Sequence, residues 1–262
     1  MDASQVLDAW GIRSLSPSSI LKWADDKAAW VMSYALKSRE PGNAAMSRGN
    51  AVEAGFEALL RGFDMNTAKA KTAELWALKA AEEGFDLEAE DAVAEAANLI
   101  LMLEQCAAAL AMRPLPVPLA TQLRLDTWVD DEKWSAPVCG YADFVFDGWT
   151  LDLKTTKALP SAPKPAHVAQ VACYAKARGD EHAALLYVTP KKFAFYDLGP
   201  DELVPAWNGL HPHVRSLLRA LYRAKSVDDL CADYPPPIDS WFWSAERRAT
   251  AATLNPAWSI AA

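Results

Sequence analysis

The stretch that decides the fold is YADFVFDGWTLDLKTTKA, residues 141–158. Two mostly apolar runs are joined by Asp147-Gly148, a pair typical of a tight hairpin turn. Side chains alternate between the two faces of a strand, so Asp152 and Lys154 share one face while leucines occupy the other. Asp143, on the first run, lies among apolar neighbours on both faces. The stretch therefore predicts a strand pair that brings acids and an amine close to a hydrophobic core.

An unpaired carboxylate near a core is costly, so Asp143 needs a cation, a hydrogen-bond donor or a proton. If the two strands pair, Asp143 lies near Asp152 and Lys154, and the two acids raise each other's pKa unless a cation separates them. A divalent metal with oxygen ligands removes this conflict, and an amine beside it suits metal-assisted phosphodiester hydrolysis. The alternative is that Asp152 and Lys154 form a weak pair on a solvated sheet face.

Composition limits the class of protein. The 262-residue chain is 52% hydrophobic, so a sizeable core is expected. No apolar run approaches the ~20 residues of a membrane span, and the N-terminus lacks the pattern of a signal peptide. The four cysteines form no CxxC pair, which predicts a reducing cytoplasm and neither zinc nor disulfides. Any metal should therefore be a hard ion held by carboxylates.

The charge is unevenly distributed. The net charge of −8 argues against a general nucleic-acid coat protein. Residues 66–104 hold three Lys and nine acids, whereas residues 151–192 hold six Lys and one Arg against three acids. Because this second region is basic and contains the carboxylate strand, the net negative charge does not exclude a phosphate substrate.

The periodicity of apolar residues changes along the chain. Helical spacing is predicted in the segments 14–36, 44–62, 66–84, 86–112, 164–180 and 201–226, and strands in 120–130, 135–148, 149–156, 182–190 and 191–199. We predict one domain over 1–262, with a helical part at 1–113, a sheet core at 114–225 and a wrapping tail at 226–262. Trp23 and Trp30, seven residues apart, are expected in a core, and the SWFW segment at 240–243 is expected to anchor the tail.

The segments GYADFVF and LDLKTT resemble the PD-(D/E)xK nuclease superfamily, and more closely its RecB-type and phage lambda-exonuclease-like branch. Two other segments are similar to this family: RGNAVEAGFEALL, in which Glu53 follows Gly49 by four residues, and HVAQVACYA, with Gln170 and Tyr174. The opening LSPSSILKW is similar to the Ser-rich helix start of these nucleases. The resemblance, over roughly residues 16–196, implies an α/β restriction-endonuclease-like core, a mixed β-sheet flanked by helices, with a helical N-terminal half.

The resemblance also implies a site. Its ligands for Mg²⁺ (or Mn²⁺) would be the carboxylates of Glu53, Asp143 and Asp152 and the Leu153 carbonyl. Lys154 would position the attacking water, and Gln170 would steady Lys154 or the scissile phosphate. For Glu53 the alternative is a surface helix acid, and Glu57 on the same face is a rival.

Further residues are candidate DNA contacts: Ser18, Arg48, Thr155, His167 and Tyr174. Each has an alternative. The serines at 16, 18 and 19 could cap a helix N-terminus instead. Arg48 could be a surface arginine, and residues 155–157 a plain loop. The one-face spacing of His167, Gln170 and Tyr174 also suits a polar surface stripe.

The function that the resemblance implies is a Mg²⁺-dependent DNA exonuclease of phage or prophage recombination or repair. The alternatives are an endonuclease or single-strand nuclease of the same superfamily, and a non-catalytic DNA-binding or interaction module. The expected partner is DNA, with linear duplex ends as the favoured substrate. A strand-annealing protein is a further possible partner, and the oligomeric state stays open.

Overall fold

The computed structural model describes residues 3–38, 42–129, 134–237 and 243–261. The helices are α1 Ala3–Ala9, α2 Pro17–Asp25, α3 Lys27–Trp30, α4 Ala44–Leu60, α5 Met65–Glu83, α6 Glu90–Met112, α7 Pro165–Arg178, α8 Pro200–Arg223, α9 Val227–Asp233 and α10 Ala245–Leu254. A π-helical turn, Val31–Ala35, continues α3, and a 3₁₀ helix, Pro256–Ala261, follows α10. The strands are β1 Ala120–Val129, β2 Ala136–Phe146, β3 Trp149–Thr155, β4 His182–Val188 and β5 Phe193–Leu198.

The strands form a five-stranded mixed sheet in the order β1-β2-β3-β4-β5. β2 and β3 are an antiparallel hairpin, and Gly148 at its turn has φ 75°, a conformation that glycine adopts without a steric penalty. β3 and β4 are parallel, and α7 supplies the crossover that parallel neighbours require. β4 and β5 are again antiparallel. The predicted mixed sheet flanked by helices, with a helical N-terminal half, is confirmed.

The chain divides into two compact units. One unit consists of Pro41–Leu125 and Tyr141–Ala206, and the other of Met1–Glu40, Asp126–Gly140 and Trp207–Ala262. We call them the sheet unit and the terminal unit. The single domain over 1–262 stays a prediction.

In the sheet unit, α4 packs on the leucine face of β3, and α6 packs against β4 and β5 in the same core cluster. Phe56 meets Phe144 edge to face, with ring centroids 5.2 Å apart, and Leu151 belongs to the same buried cluster. α4 approaches its neighbours closely, because a Cβ at Gly55 would lie 2.1 Å from Thr72 Oγ1 on α5. These contacts fix the position of α4 against β2 and α5.

In the terminal unit, tryptophans form much of the core. Trp23 and Trp30 are both buried, with ring centroids 5.5 Å apart, as the spacing predicts. Trp243 is also fully buried and its Nε1–H donates to Asp26 Oδ2 at 2.7 Å, which supports the tail-anchor interpretation at that residue. Residues 240–242 of the same segment lie outside the described residues. The tail also folds into α9 and α10.

Two predicted helices differ most from the structure. The helix predicted over 14–36 is interrupted at Asp26, whose backbone is extended and whose side chain accepts a hydrogen bond from the N–H of Ala29. Asp competes with the helical backbone in this way, so one predicted helix becomes two. The fourth helix begins at Glu90 rather than at 86.

Within the described residues, one helix, α6, is long and apolar enough by composition to cross a membrane. Its acids interrupt any continuous apolar run, and Leu99, Met102, Cys106 and Ala109 on α6 pack into the core of the sheet unit. Core helices meet the same length and composition criterion.

Candidate active site

The β2–β3 hairpin brings the two strand acids together. Its register pairs Phe144 with Leu151, so the next positions outward are Asp143 and Asp152. The backbone N–H of Leu153 donates to Asp143 Oδ2 at 2.9 Å. Both acids lie on the face opposite the core cluster that contains Phe144 and Leu151. The predicted convergence of the hairpin acids is therefore present.

Asp152 is the most deeply buried acid of the group, with 1% of its surface exposed. Lys154 Nζ lies 2.5 Å from its Oδ2, an ion pair, and among the described residues no other group bonds to either Asp152 oxygen. The alternative of a solvated surface pair is therefore wrong for Asp152 and Lys154. Burial by itself lowers the pKa of Lys154, but Asp152 and Asp143 outweigh it and the net pKa is raised.

The acids repel one another. Burial, followed by the charges of Asp152 and Glu53, raises the pKa of Asp143 well above its ordinary value. Burial raises the pKa of Glu53 to about 7; the hydrogen bond from Gln122 opposes this change and the Asp152 charge adds to it. A region with three crowded carboxylates and one ammonium group is short of positive charge.

Glu53 lies on α4, half-buried, and a side chain from β1 connects it to the hairpin. The amide nitrogen of Gln122 donates to Glu53 Oε1 and, at 3.3 Å, to Asp143 Oδ1. Glu57, the rival acid, accepts instead from Arg61 Nε at 2.8 Å and from Thr121 Oγ1 at 3.1 Å. The structure thus associates Glu53, rather than Glu57, with the strand acids.

Sequence reasoning missed Gln122. A polar residue on an exposed strand position is ordinary, so its residue type carries no signal. Its backbone has φ 48°, a left-handed conformation that is uncommon outside glycine, and this feature is visible only in the structure.

Lys154 is held by a short chain of hydrogen bonds from α7. Lys154 Nζ donates to Gln170 Oε1 at 3.0 Å, and Gln170 Nε2 donates to Tyr174 Oη at 2.7 Å. Tyr174 is buried, and burial raises its pKa, so the phenol stays neutral. Gln170 and Tyr174 are therefore not a polar surface stripe; they orient the lysine.

His167 lies on the same helix but bonds elsewhere. Its Nδ1 is 2.7 Å from Tyr187 Oη, and Tyr187 is the β4 residue paired with Lys154. Burial, with the charges of Lys154 and Lys164, lowers the pKa of His167 to about 4, so the imidazole is neutral at pH 7.

Arg48 is buried, with 4% of its surface exposed, and forms an ion pair with Glu95 of α6. Its Nη2 also lies 3.4 Å from the carbonyl and hydroxyl oxygens of Thr155. Because Arg48 is buried, the surface-arginine alternative is wrong. Its guanidinium contacts Thr155 at the end of β3. The predicted DNA contact of Arg48 would require this group to leave Glu95. Lys157, by contrast, is largely exposed.

The serine cluster belongs to the terminal unit and caps α2. Ser16 Oγ accepts from the Ser19 N–H at 3.1 Å, and Ser19 Oγ accepts from the Ser16 N–H at 2.8 Å, a capping box. The N-capping alternative is confirmed. Ser18 is exposed, with Oγ 3.0 Å from Ser16 Oγ, and its DNA contact stays a prediction.

Two observations test whether these residues suit a divalent cation. Among the described residues, no three His, Cys, Asp or Glu side chains are already arranged as a metal-binding group. The donor chemistry nevertheless fits, because Asp152 presents two buried oxygens, one of them paired with the Lys154 ammonium group, beside two further crowded acids. Carboxylate oxygens are the ligands that Mg²⁺ prefers.

A comparison with protein-family models gives the superfamily of the chain. The family model described as PD-(D/E)XK nuclease superfamily matches residues 14–250, and the chain belongs to this superfamily. A search of curated protein sequences gave no significant match. Among the solved structures that match, "Crystal structure of SSO0001" is 14% identical, with a TM-score of 0.35, over 68% of this chain and 76% of that chain.

Membership of the superfamily indicates a nuclease, in general terms a phosphodiester hydrolase acting on DNA. Enzymes of this class typically use divalent metals such as Mg²⁺.

Proposed function

We propose that the protein is a Mg²⁺-dependent DNA exonuclease of the RecB-type or lambda-exonuclease-like branch, active in phage or prophage DNA recombination or repair. The observation that carries the nuclease chemistry is Asp152, a buried carboxylate paired with Lys154 and crowded by Asp143. The exonuclease specificity and the branch rest on the sequence segments around Glu53 and Gln170.

The carboxylates of Glu53, Asp143 and Asp152, with the Leu153 carbonyl, would hold the cation. When bound, Mg²⁺ supplies Lewis-acid polarisation of the scissile phosphate. Burial, and after it the mutual repulsion of the acids, raises the pKa values of Glu53 and Asp143, and a bound cation would relieve the repulsion. The same acids therefore destabilise the metal-free protein and give it affinity for a divalent ion.

Lys154 acts as a hydrogen-bond donor in this proposal. With its pKa raised by the neighbouring acids, the ammonium group is charged at neutral pH. Gln170 Oε1 accepts one of its hydrogens, and Tyr174 holds the Gln170 amide in turn. A second hydrogen faces Asp152 Oδ2 at 2.5 Å, and the third remains to orient an attacking water or to stabilise charge on a phosphoryl oxygen.

The test is digestion of DNA by matched variants. Asp152→Asn should lower the rate with Mg²⁺ or Mn²⁺ by at least about 1,000-fold, because Lewis-acid stabilisation contributes several kcal/mol to such reactions. Asp147→Asn is the control: Asp147 is exposed in the hairpin turn, where Asn is equally suited, and should keep wild-type activity. Circular dichroism and thermal melting should show both variants folded.

The form of the substrate separates the alternatives. An exonuclease degrades end-labelled linear duplex and leaves covalently closed circles intact. Cleavage of closed circles would indicate an endonuclease, and a preference for single strands would indicate the single-strand alternative. A wild-type protein that binds DNA but degrades none of these substrates, with either metal, would support the non-catalytic module. Wild-type rates in Asp152→Asn would refute the assigned chemistry.

A further inference from the structure

Two successive residues of β1 hold two successive turns of α4. Thr121 Oγ1 donates to Glu57 Oε1 at 3.1 Å, and the Gln122 amide donates to Glu53 Oε1. The same amide donates to Asp143 Oδ1 at 3.3 Å. The Gln122 side chain therefore bonds both Glu53 of the helix and Asp143 of the strand.

The backbone makes this arrangement possible. Successive side chains of a strand normally point to opposite faces, so Thr121 and Gln122 should not both reach α4. The left-handed φ of 48° at Gln122 breaks the alternation and turns both side chains toward the helix. This conformation is strained for a residue other than glycine, and backbone strain of this kind clusters at functional sites.

The Gln122 amide is chemically suited to bond two carboxylates. It is a neutral donor facing two carboxylates, so it draws them together without adding a competing ligand charge. A carboxylate oxygen can accept a hydrogen bond and still present a lone pair to a cation, because each carboxylate has about four acceptor sites.

We infer that Gln122 is a positioning residue for the metal site, holding Glu53 of α4 beside Asp143 of β2 so that the three acids can share one cation. This inference rests on the proposed function. Groups that orient metal ligands through hydrogen bonds typically change metal affinity by about 10- to 100-fold when they are removed.

The experiment measures Mn²⁺ binding by electron paramagnetic resonance and calorimetry, without DNA. Gln122→Gly removes the amide while accepting the left-handed backbone at no steric cost. Its Kd for Mn²⁺ should rise about 10- to 100-fold. Its unfolding temperature in EDTA should stay equal to that of the wild type or increase, because the strain is relieved. Thr121→Val is the matched control: it removes the bond to Glu57 and should leave the Kd unchanged.

The outcomes separate the two claims. Asp152→Asn defines the binding that depends on the site. If the wild type and Asp152→Asn bind Mn²⁺ equally, the proposed metal site fails and the role of Gln122 fails with it. If Asp152→Asn loses binding but Gln122→Gly keeps wild-type affinity, only the positioning role is overturned. A Gln122→Gly variant that loses both affinity and thermal stability would also overturn it, since the residue would then be structural.

Discussion

We expect the metal-free protein to lose stability as the pH rises from about 4.5 to about 7, because Glu53 ionises at a higher pH in the folded chain than in the unfolded one. Burial raises the pKa of Glu53 from its ordinary 4.5 to about 7. Between these values the folded state binds more protons than the unfolded state, so the free energy of unfolding falls with increasing pH. The loss is complete above the folded pKa.

The size of the effect follows from the two pKa values. Their difference of about 2.5, at 1.36 kcal/mol for each pH unit, corresponds to about 3 kcal/mol at full ionisation. Asp143, whose pKa is also raised by burial, contributes in the same direction. The wild-type loss should therefore exceed that of Glu53→Gln by about 3 kcal/mol.

Urea unfolding in EDTA at pH 4.5 and pH 7.5, followed by tryptophan fluorescence, measures this difference. Glu104→Gln is the control, because Glu104 is an exposed α6 acid paired with Lys69 and should keep the wild-type pH dependence. Equal pH dependence in the wild type and Glu53→Gln would refute the reasoning. Mn²⁺ at pH 7.5 should restore stability to the wild type more than to Glu53→Gln.

Two further predictions concern the packing of α4. Glu95→Gln should lower the free energy of unfolding by about 3–5 kcal/mol, because it leaves the Arg48 charge buried without its partner. The control Glu104→Gln should lower it by less than about 1 kcal/mol. Equal losses for the two variants in urea unfolding would contradict this prediction. Gly55→Ala should cost about 1–3 kcal/mol or more, since its Cβ would lie 2.1 Å from Thr72 Oγ1; a thermal melt identical to that of the wild type would show that α5 moves away without penalty.

Short-range sequence patterns predicted the β2–β3 hairpin and the positions of its acids. The alternation along residues 141–158 and the Asp-Gly turn are short-range signals, so the faces of Asp143 and Asp152 could be read directly. The alternation along β3 placed Lys154 beside Asp152, whereas the resemblance to the nuclease superfamily placed Gln170 and Tyr174 near Lys154, and the structure joins all three. These elements needed no knowledge of distant contacts.

Features that depend on contacts between distant parts of the chain could not be predicted from the sequence. Arg48 looks like a surface residue until Glu95 is placed beside it, and the two are 47 positions apart. Gln122 acquires a role only through its left-handed backbone and a contact with Glu53 across 69 positions. At Asp26 a side chain competes with the helix, a local effect that apolar periodicity does not report.

The distribution of these separations has a consequence for the order of folding. Asp143 meets the Leu153 amide across ten positions and a tight turn, whereas Glu53 reaches Gln122 only after a much longer segment has closed. Short closures cost less chain entropy and form sooner. We therefore expect the hairpin acids to assemble early and the helical acid to join them last, so that a newly synthesised chain gains affinity for its cation only when folding is finished.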